Sequence, residues 1–226
     1  GVQGNAESQG FSASAESGGN IYTAGHFSNP TIGFGPVVLT NSGSRDIFLI
    51  KYDNSGNVVW GKQAGGTGID VATSVAADAS GNVYVTGYFN SPTLSFGSIT
   101  LTNTGSYDIF LAKYDAQGNL LWAVSPKGNT DDRGASVSVS SGGDAVITGY
   151  YMSAQLDFGP AQLTNTTTNG LAMDVFVASF SPTGSFIWAR SAGDLYNDAG
   201  CGVSVDGGGN VFVSGYFSIT KISFGS

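Results

Sequence analysis

The chain has 226 residues, 41% apolar and 12% aromatic, with 35 glycines and a formal net charge of −8. That apolar content excludes a disordered chain, and 8 Lys+Arg against 16 Asp+Glu leave no basic stripe for nucleic acid and disfavour anionic lipid. A single cysteine, Cys201, excludes an intrachain disulfide, and no apolar run reaches the ~18 residues of a membrane-spanning helix.

In chain order, the first signals are a turn, "ESGGN" (16–20), and a strand-like run, "YTAGHF", holding Gly25. "KYDNSGNVVW" (51–60) follows: an aromatic strand end, a D-x-x-G-N turn and Trp60. In such a turn Asp53 hydrogen-bonds the backbone and Gly56 takes φ > 0. The second unit spells the pattern out in four runs, "ATSVAAD", "NVYVTGYF", "DIFLAKYD" and "NLLWAV". All are rich in β-branched and aromatic residues and bounded by Gly, Asn or Asp, which predicts short antiparallel strands. In the second run Val83, Val85, Gly87 and Phe89 share one face, and Tyr84, Thr86 and Tyr88 the other. Between the second and third runs, "NSPTLSFGSITLTNTGSY" alternates on its own account (Leu94, Phe96; Ile99, Leu101), predicting an extra hairpin or packed flap. The third unit repeats the turn at "SSGGD" (140–144) and, in worn form, at "SFSPTGSFIW" (179–188); the fourth has "DGGGN" (206–210). No stretch keeps a 3.6-residue period over a helical length.

Gly25, Gly87, Gly149 and Gly215 recur at steps of 62, 62 and 66 residues, and Trp60, Trp122 and Trp188 at 62 and 66. The four extra residues fall in "TTTNGLAM", a loop, where added length costs little. Four short strands per unit with a periodic tryptophan predict an all-β β-propeller of four-stranded antiparallel blades, about four blades or a fragment of a larger propeller. The units are about 5–66, 67–128, 129–194 and an incomplete 195–226, one repeat domain read as a piece of a longer chain. Trp60, Trp122 and Trp188 are the expected inter-blade anchors, largely buried.

"DVATSVAADASGNVYVTGYF" (70–89) resembles the SBBP repeat, a bacterial β-propeller repeat of signature D-x-A-x-x-x-A-x-D-x-x-G-N-x-Y-V-T-G. Asp70, Ala72, Ala76, Asp78, Gly81, Asn82, Tyr84, Thr86 and Gly87 meet it; Ser140 and Asp144 depart from it, and Ser8 stands where Asp70 would be. The "KYDNSGNVVW" stretch is similar to the docking motif of quinoprotein-type propellers. The "SFGSITLTN"-containing units look most like those of Bacteroidota cell-surface proteins. The resemblance implies a secreted or cell-surface setting and no fixed chemistry. Since the unmatched residues form no pair, the reading is a non-enzymatic extracellular binding or structural module for adhesion, protein or glycan interaction, or assembly. The alternative is a hydrolase or lyase acting on polysaccharide, with channel carboxylates as acid and base.

Candidate sites are weighed against the repeat. Asp70, Asp132 and Asp198 precede the innermost strands and could ring one mouth of the channel as Ca²⁺ ligands; the favoured reading is that each caps its own loop, with no metal and no cofactor. Asp46, Asp108 and Asp174, before the third strands, are read as caps too. His26 replaces the tyrosine of Tyr88, Tyr150 and Tyr216, and these four form the candidate ligand face. Cys201 takes a position where other units carry small residues such as Thr73 and Ser136, so it is read as a small core residue. A catalytic site should break the repeat with an unmatched acid, base or nucleophile; His26, Cys201 and the insertion do so without forming a pair.

Overall fold

Tight turns set the frame. In the first D-x-x-G-N turn, Asp53 Oδ1 accepts from the N–H groups of Ser55 (2.9 Å) and Asn57 (2.8 Å), and Gly56 sits at φ 81°. The side chain stands in for a backbone acceptor, and only glycine takes that φ without steric cost. The same bonds recur at Asp78, Asp115 and Asp206.

Between these turns the computed structural model describes residues 7–167 and 172–218 and the backbone of Ser223–Phe224. All regular structure among them is β. The first unit comprises β1 (Ser8–Ala15), β2 (Ile21–Phe27), β3 (Thr31–Phe34), β4 (Val37–Thr40), β5 (Asp46–Tyr52) and β6 (Val58–Ala64). The second has β7 (Asp70–Ala77), β8 (Val83–Phe89), β9 (Thr93–Ser95), β10 (Thr100–Thr102), β11 (Asp108–Tyr114) and β12 (Leu120–Val124). The third has β13 (Asp132–Val139), β14 (Ala145–Tyr151), β15 (Gln155–Asp157), β16 (Gln162–Thr164), β17 (Asp174–Phe180) and β18 (Phe186–Gly193). The fourth shows β19 (Ala199–Val205), β20 (Val211–Tyr216) and β21 (Ser223–Phe224). Three antiparallel blades result, in order β1-β2-β5-β6, β7-β8-β11-β12 and β13-β14-β17-β18; β21 joins the third as a fifth strand, and β19 pairs with β20. These are propeller blades. The predicted flaps are the hairpins β3–β4, β9–β10 and β15–β16. Residues 168–171 of the "TTTNGLAM" insertion lie outside the described residues.

Each inner strand carries the same bulge, at Phe11, Thr73, Ala135 and Cys201. This register aligns Cys201 with Ala135, not Ser136; Cys201 is exposed where Thr73 and Ala135 are half-buried, since among the described residues no further blade packs on β19, so it is not in the core. The bulge explains the repeated glycine: a Cβ on Gly25, Gly87 or Gly149 would lie 1.9–2.0 Å from the inner-strand carbonyl oxygen of Gln9, Val71 or Arg133.

Successive inner strands are joined by hydroxyls. Ser12 and Ser14 accept from the backbone N–H groups of Val75 and Ala77, both at 3.1 Å. Ser136 and Ser138 do the same for Val203 (3.2 Å) and Val205 (3.1 Å). Between the second and third blades only Ser74 does so, for Val137 at 3.2 Å, because Ala76 occupies the other position. Further out, Trp60 Nε1 (3.1 Å) and Lys51 Nζ (3.0 Å) both donate to the carbonyl of Ala116, inside the next blade's turn. Trp122 Nε1 (2.9 Å) and Lys113 Nζ (3.1 Å) converge likewise on Pro182. Tyr22 and Tyr84 lie beside these tryptophans and lysines. The three tryptophans are half-buried, less than the full burial expected; the rings of Trp60 and Trp122 lie over the next blade's turns at the rim.

Candidate functional site

Besides His26, Cys201 and the insertion, a group of departures from the repeat lies at the junction of the second and third blades. Tyr107, just ahead of β11, bridges in parallel to Asp131, just ahead of β13, and so brings Tyr88, Tyr107, Asp131 and Arg133 together. Arg133 donates from Nε (2.7 Å) and a terminal nitrogen (2.8 Å) to the two oxygens of Asp131. Its guanidinium carbon lies 4.2 Å from the Tyr107 ring centroid and 4.6 Å from that of Tyr88, and the two rings meet edge to face at 5.5 Å. Tyr150 Oη donates to Asp131 at 3.3 Å. Burial opposes the charge on Arg133, but the Asp131 hydrogen bonds hold its pKa above the usual value, so the cation persists. Val71 and Ala199 occupy the position of Arg133 in the second and fourth units; the first junction has instead an Arg45–Glu7 pair at 2.9 Å, with no arginine set between tyrosines.

A second cation breaks the repeat nearby. Lys127 stands where Gly65 and Gly193 stand elsewhere, 3.8 Å from the buried Asp108 carboxylate and hydrogen-bonded to the Thr102 carbonyl. Burial lowers its pKa and Asp108 opposes that shift.

At the rim, the same groove occurs at two successive junctions with different linings. Between the first two blades it measures about 320 Å³ and includes Lys62, Gln63, Tyr114, Asn119 and Leu120. Between the second and third it measures about 510 Å³, and Val124, Ser125, Phe180 and Phe186 replace Lys62, Gln63, Tyr114 and Leu120. Phe158 stacks on Phe186 at 5.4 Å and on Phe180 at 6.3 Å, so the floor is aromatic.

The aspartates expected at the mouth are fully buried. Asp70 accepts from Gly66 N (2.7 Å) and Ser91 Oγ (2.7 Å). Asp132 accepts from the backbone of Met152 and Ser153 (both 3.0 Å) and from Ser153 Oγ (2.6 Å). Asp198 accepts from Asp194 N (3.0 Å) and Ser218 N (3.2 Å). Oxygens committed to N–H and O–H donors do not fit a cation, and among the described residues no three acids, histidines or cysteines converge. Burial pushes Asp70 and Asp132 up to about 6 against these hydrogen bonds. It also raises Asp46, Asp108, Asp174 and Asp198. Such shifts mark functional sites when they are singular; here every junction repeats them, which marks architecture.

The tyrosine position does not make one continuous face. His26 is 2% exposed, neither ring nitrogen has a hydrogen-bond partner, and burial followed by the Arg45 charge lowers its pKa. Tyr88 and Tyr150 join the Arg133 cluster, whereas Tyr216 is 49% exposed and outside it. Sequence reasoning passed over Arg133, Lys127 and Val124 because it searched for unmatched acids, bases and nucleophiles. The aligned repeats carried the signal all the same.

Comparison with known proteins adds to this geometry. Residues 59–92 match the model of the β-propeller repeat SBBP, so the repeat type is supported there. An uncharacterised WD repeat-containing protein of Acanthamoeba polyphaga mimivirus is 30% identical over 153 residues, 64% of this chain and 11% of that protein. Regulatory protein FlaEY of Caulobacter vibrioides is 26% identical over 172 residues, 73% of this chain and 17% of its own length. The chain thus spans well under a fifth of either relative. One is viral and the other from Caulobacter, so these matches lend no support to a Bacteroidota origin.

Proposed function

We propose that this chain is a non-catalytic protein-interaction module and that the mouth of the junction between the second and third blades is its contact surface. The observation that carries the reading is the Arg133 cluster, which sits at positions the units do not share and puts one arginine and three tyrosines on one partly exposed patch. Arginine and tyrosine are the residue types that dominate binding energy at protein interfaces. Similarity to a WD repeat-containing protein supports the same reading. The polysaccharide-active alternative gains nothing from the site, since the carboxylates with raised pKa are buried and repeated. An extracellular or cell-surface setting is part of the proposal and rests on the repeat resemblance.

Affinity capture from the source organism tests the reading, with wild type, Arg133→Ala and Val71→Ala compared. A partner held by wild type and Val71→Ala but lost by Arg133→Ala supports it. A partner held equally by all three overturns it. Recovery of the chain from the cytosol alone would overturn the setting and leave the contact surface standing.

A further inference from the structure

We infer that the outer edge of β12, with the aromatic groove beside it, is a strand-addition site for a short, extended, uncharged peptide segment bearing large apolar side chains. The site lies at the rim and goes beyond the mouth surface proposed above.

β12 is the last strand of its sheet, so one side of its backbone ladder is unpaired. Unpaired edges invite other strands, and proteins blunt them with bulges and charged side chains. All three outer strands carry the bulge, which leaves Val59, Leu121 and Ile187 exposed. Two of the three also carry a cation two residues after the tryptophan: Lys62 in β6 and Arg190 in β18. β12 has Val124 there, and Leu120–Val124 contains no charge. One of the two safeguards is missing from one edge alone.

Three features set the chemistry of the occupant. The row of unpaired N–H and C=O groups is satisfied by extended backbone. The groove's two charged lining residues, Lys127 and Asp157, are of opposite sign and leave no net charge to recognise. An uncharged strand beside a floor of Phe158, Phe180 and Phe186 favours apolar side chains over charged ones, and about 510 Å³ accommodates large ones. The fold already pairs backbone next to this edge. Immediately after β12, Lys127 and Asp157 of the next flap exchange two antiparallel hydrogen bonds at 2.8 Å, and β21 extends the edge of β18 at the equivalent place. The groove therefore continues an interface the fold itself uses.

Fluorescence polarisation with a labelled, capped peptide alternating threonine with leucine and phenylalanine tests the inference on the whole chain. Wild type is expected to bind saturably, and a peptide N-methylated on the pairing amides is expected not to bind. Val124→Lys and Phe186→Leu import residues already present at the equivalent positions of this chain, Lys62 and Leu120, so both variants are expected to fold, which their urea unfolding checks. Each is expected to weaken binding by about tenfold or more. Arg133→Ala removes the mouth cluster, leaves the rim intact and is expected to bind the peptide as wild type does, so failure of either site is seen separately. No wild-type binding at about 1 mM peptide, equal binding by Val124→Lys, or equal binding of the N-methylated peptide would overturn the inference. So would a wild-type dimer in sedimentation that Val124→Lys dissolves and the peptide does not, because the occupant would then be a second copy of the chain.

Discussion

The first and second junctions are built from the same parts and end up chemically different. Both use a tryptophan and a lysine aimed at one carbonyl of the next blade's turn, and both bury two aspartates. The first then closes with two serine bonds, a buried His26 and a polar rim groove. The second has one serine bond, an arginine between tyrosines and a wider aromatic groove. In a repeat protein the shared parts report what the fold needs, and the unshared parts report where one copy was released for another purpose.

The largest expected effect concerns what the two junctions share. Trp60→Ala and Trp122→Ala should each cost about 3 kcal/mol in urea unfolding, from lost packing and a lost hydrogen bond to the neighbouring turn. A loss from one and none from the other would break the equivalence on which the comparison stands.

The next effect should fall on the second junction only. Arg133→Ala leaves Asp131 without its bidentate partner and opens the tyrosine pair, for a cost of about 2 kcal/mol by the same measurement. A cost near zero would mean that the cluster is held by its tyrosines and not by the ion pair.

Acid sharpens the contrast through opposite signs. Asp70 and Asp132 bind protons more tightly folded than unfolded, with folded values of about 6. Folding is therefore favoured as pH falls through that value, by about 1 kcal/mol per group between pH 7 and 5. His26 has a lowered pKa, so the unfolded chain binds its proton first, and stability is lost as pH falls below the ordinary histidine value. Both signs act at the first junction, and only the favourable one at the second. Thermal melts should show a net gain on acidification, a larger gain for His26→Tyr and a smaller one for Asp132→Asn. Melting temperatures independent of pH would remove the buried-carboxylate account.

The smallest expected effect is a repair. Ala76→Ser supplies the hydroxyl that the second junction lacks, within reach of the Val139 N–H, and should stabilise by about 0.5 kcal/mol. The equivalent Ser14→Ala should lose a similar amount.

The architecture was legible because it is local and repeated. The "DNSGN" turn, the alternation of "NVYVTGYF" and the flap in "SFGSITLTN" each declare themselves within a few residues, and repetition removes chance. The need for Gly87 was not legible, since it arises from the Val71 carbonyl across a bulge. Nor was the burial of His26, set by neighbours from other strands. The Arg133 cluster draws on Tyr88, Tyr107, Asp131 and Arg133 from both sides of a junction, which no single window shows. Even so, aligning Val71, Arg133 and Ala199, or Lys62, Val124 and Arg190, singles out the second junction from sequence alone.

The anchors also have a direction. Trp60 and Lys51 reach forward to Ala116, and Trp122 and Lys113 reach forward to Pro182, each more than fifty residues later in the chain. Each of the first two blades is fastened by a turn that the ribosome makes afterwards. During synthesis a completed sheet therefore waits, its indole and ammonium groups still hydrated, until its successor emerges. Order then advances along the nascent chain one blade behind the point of elongation.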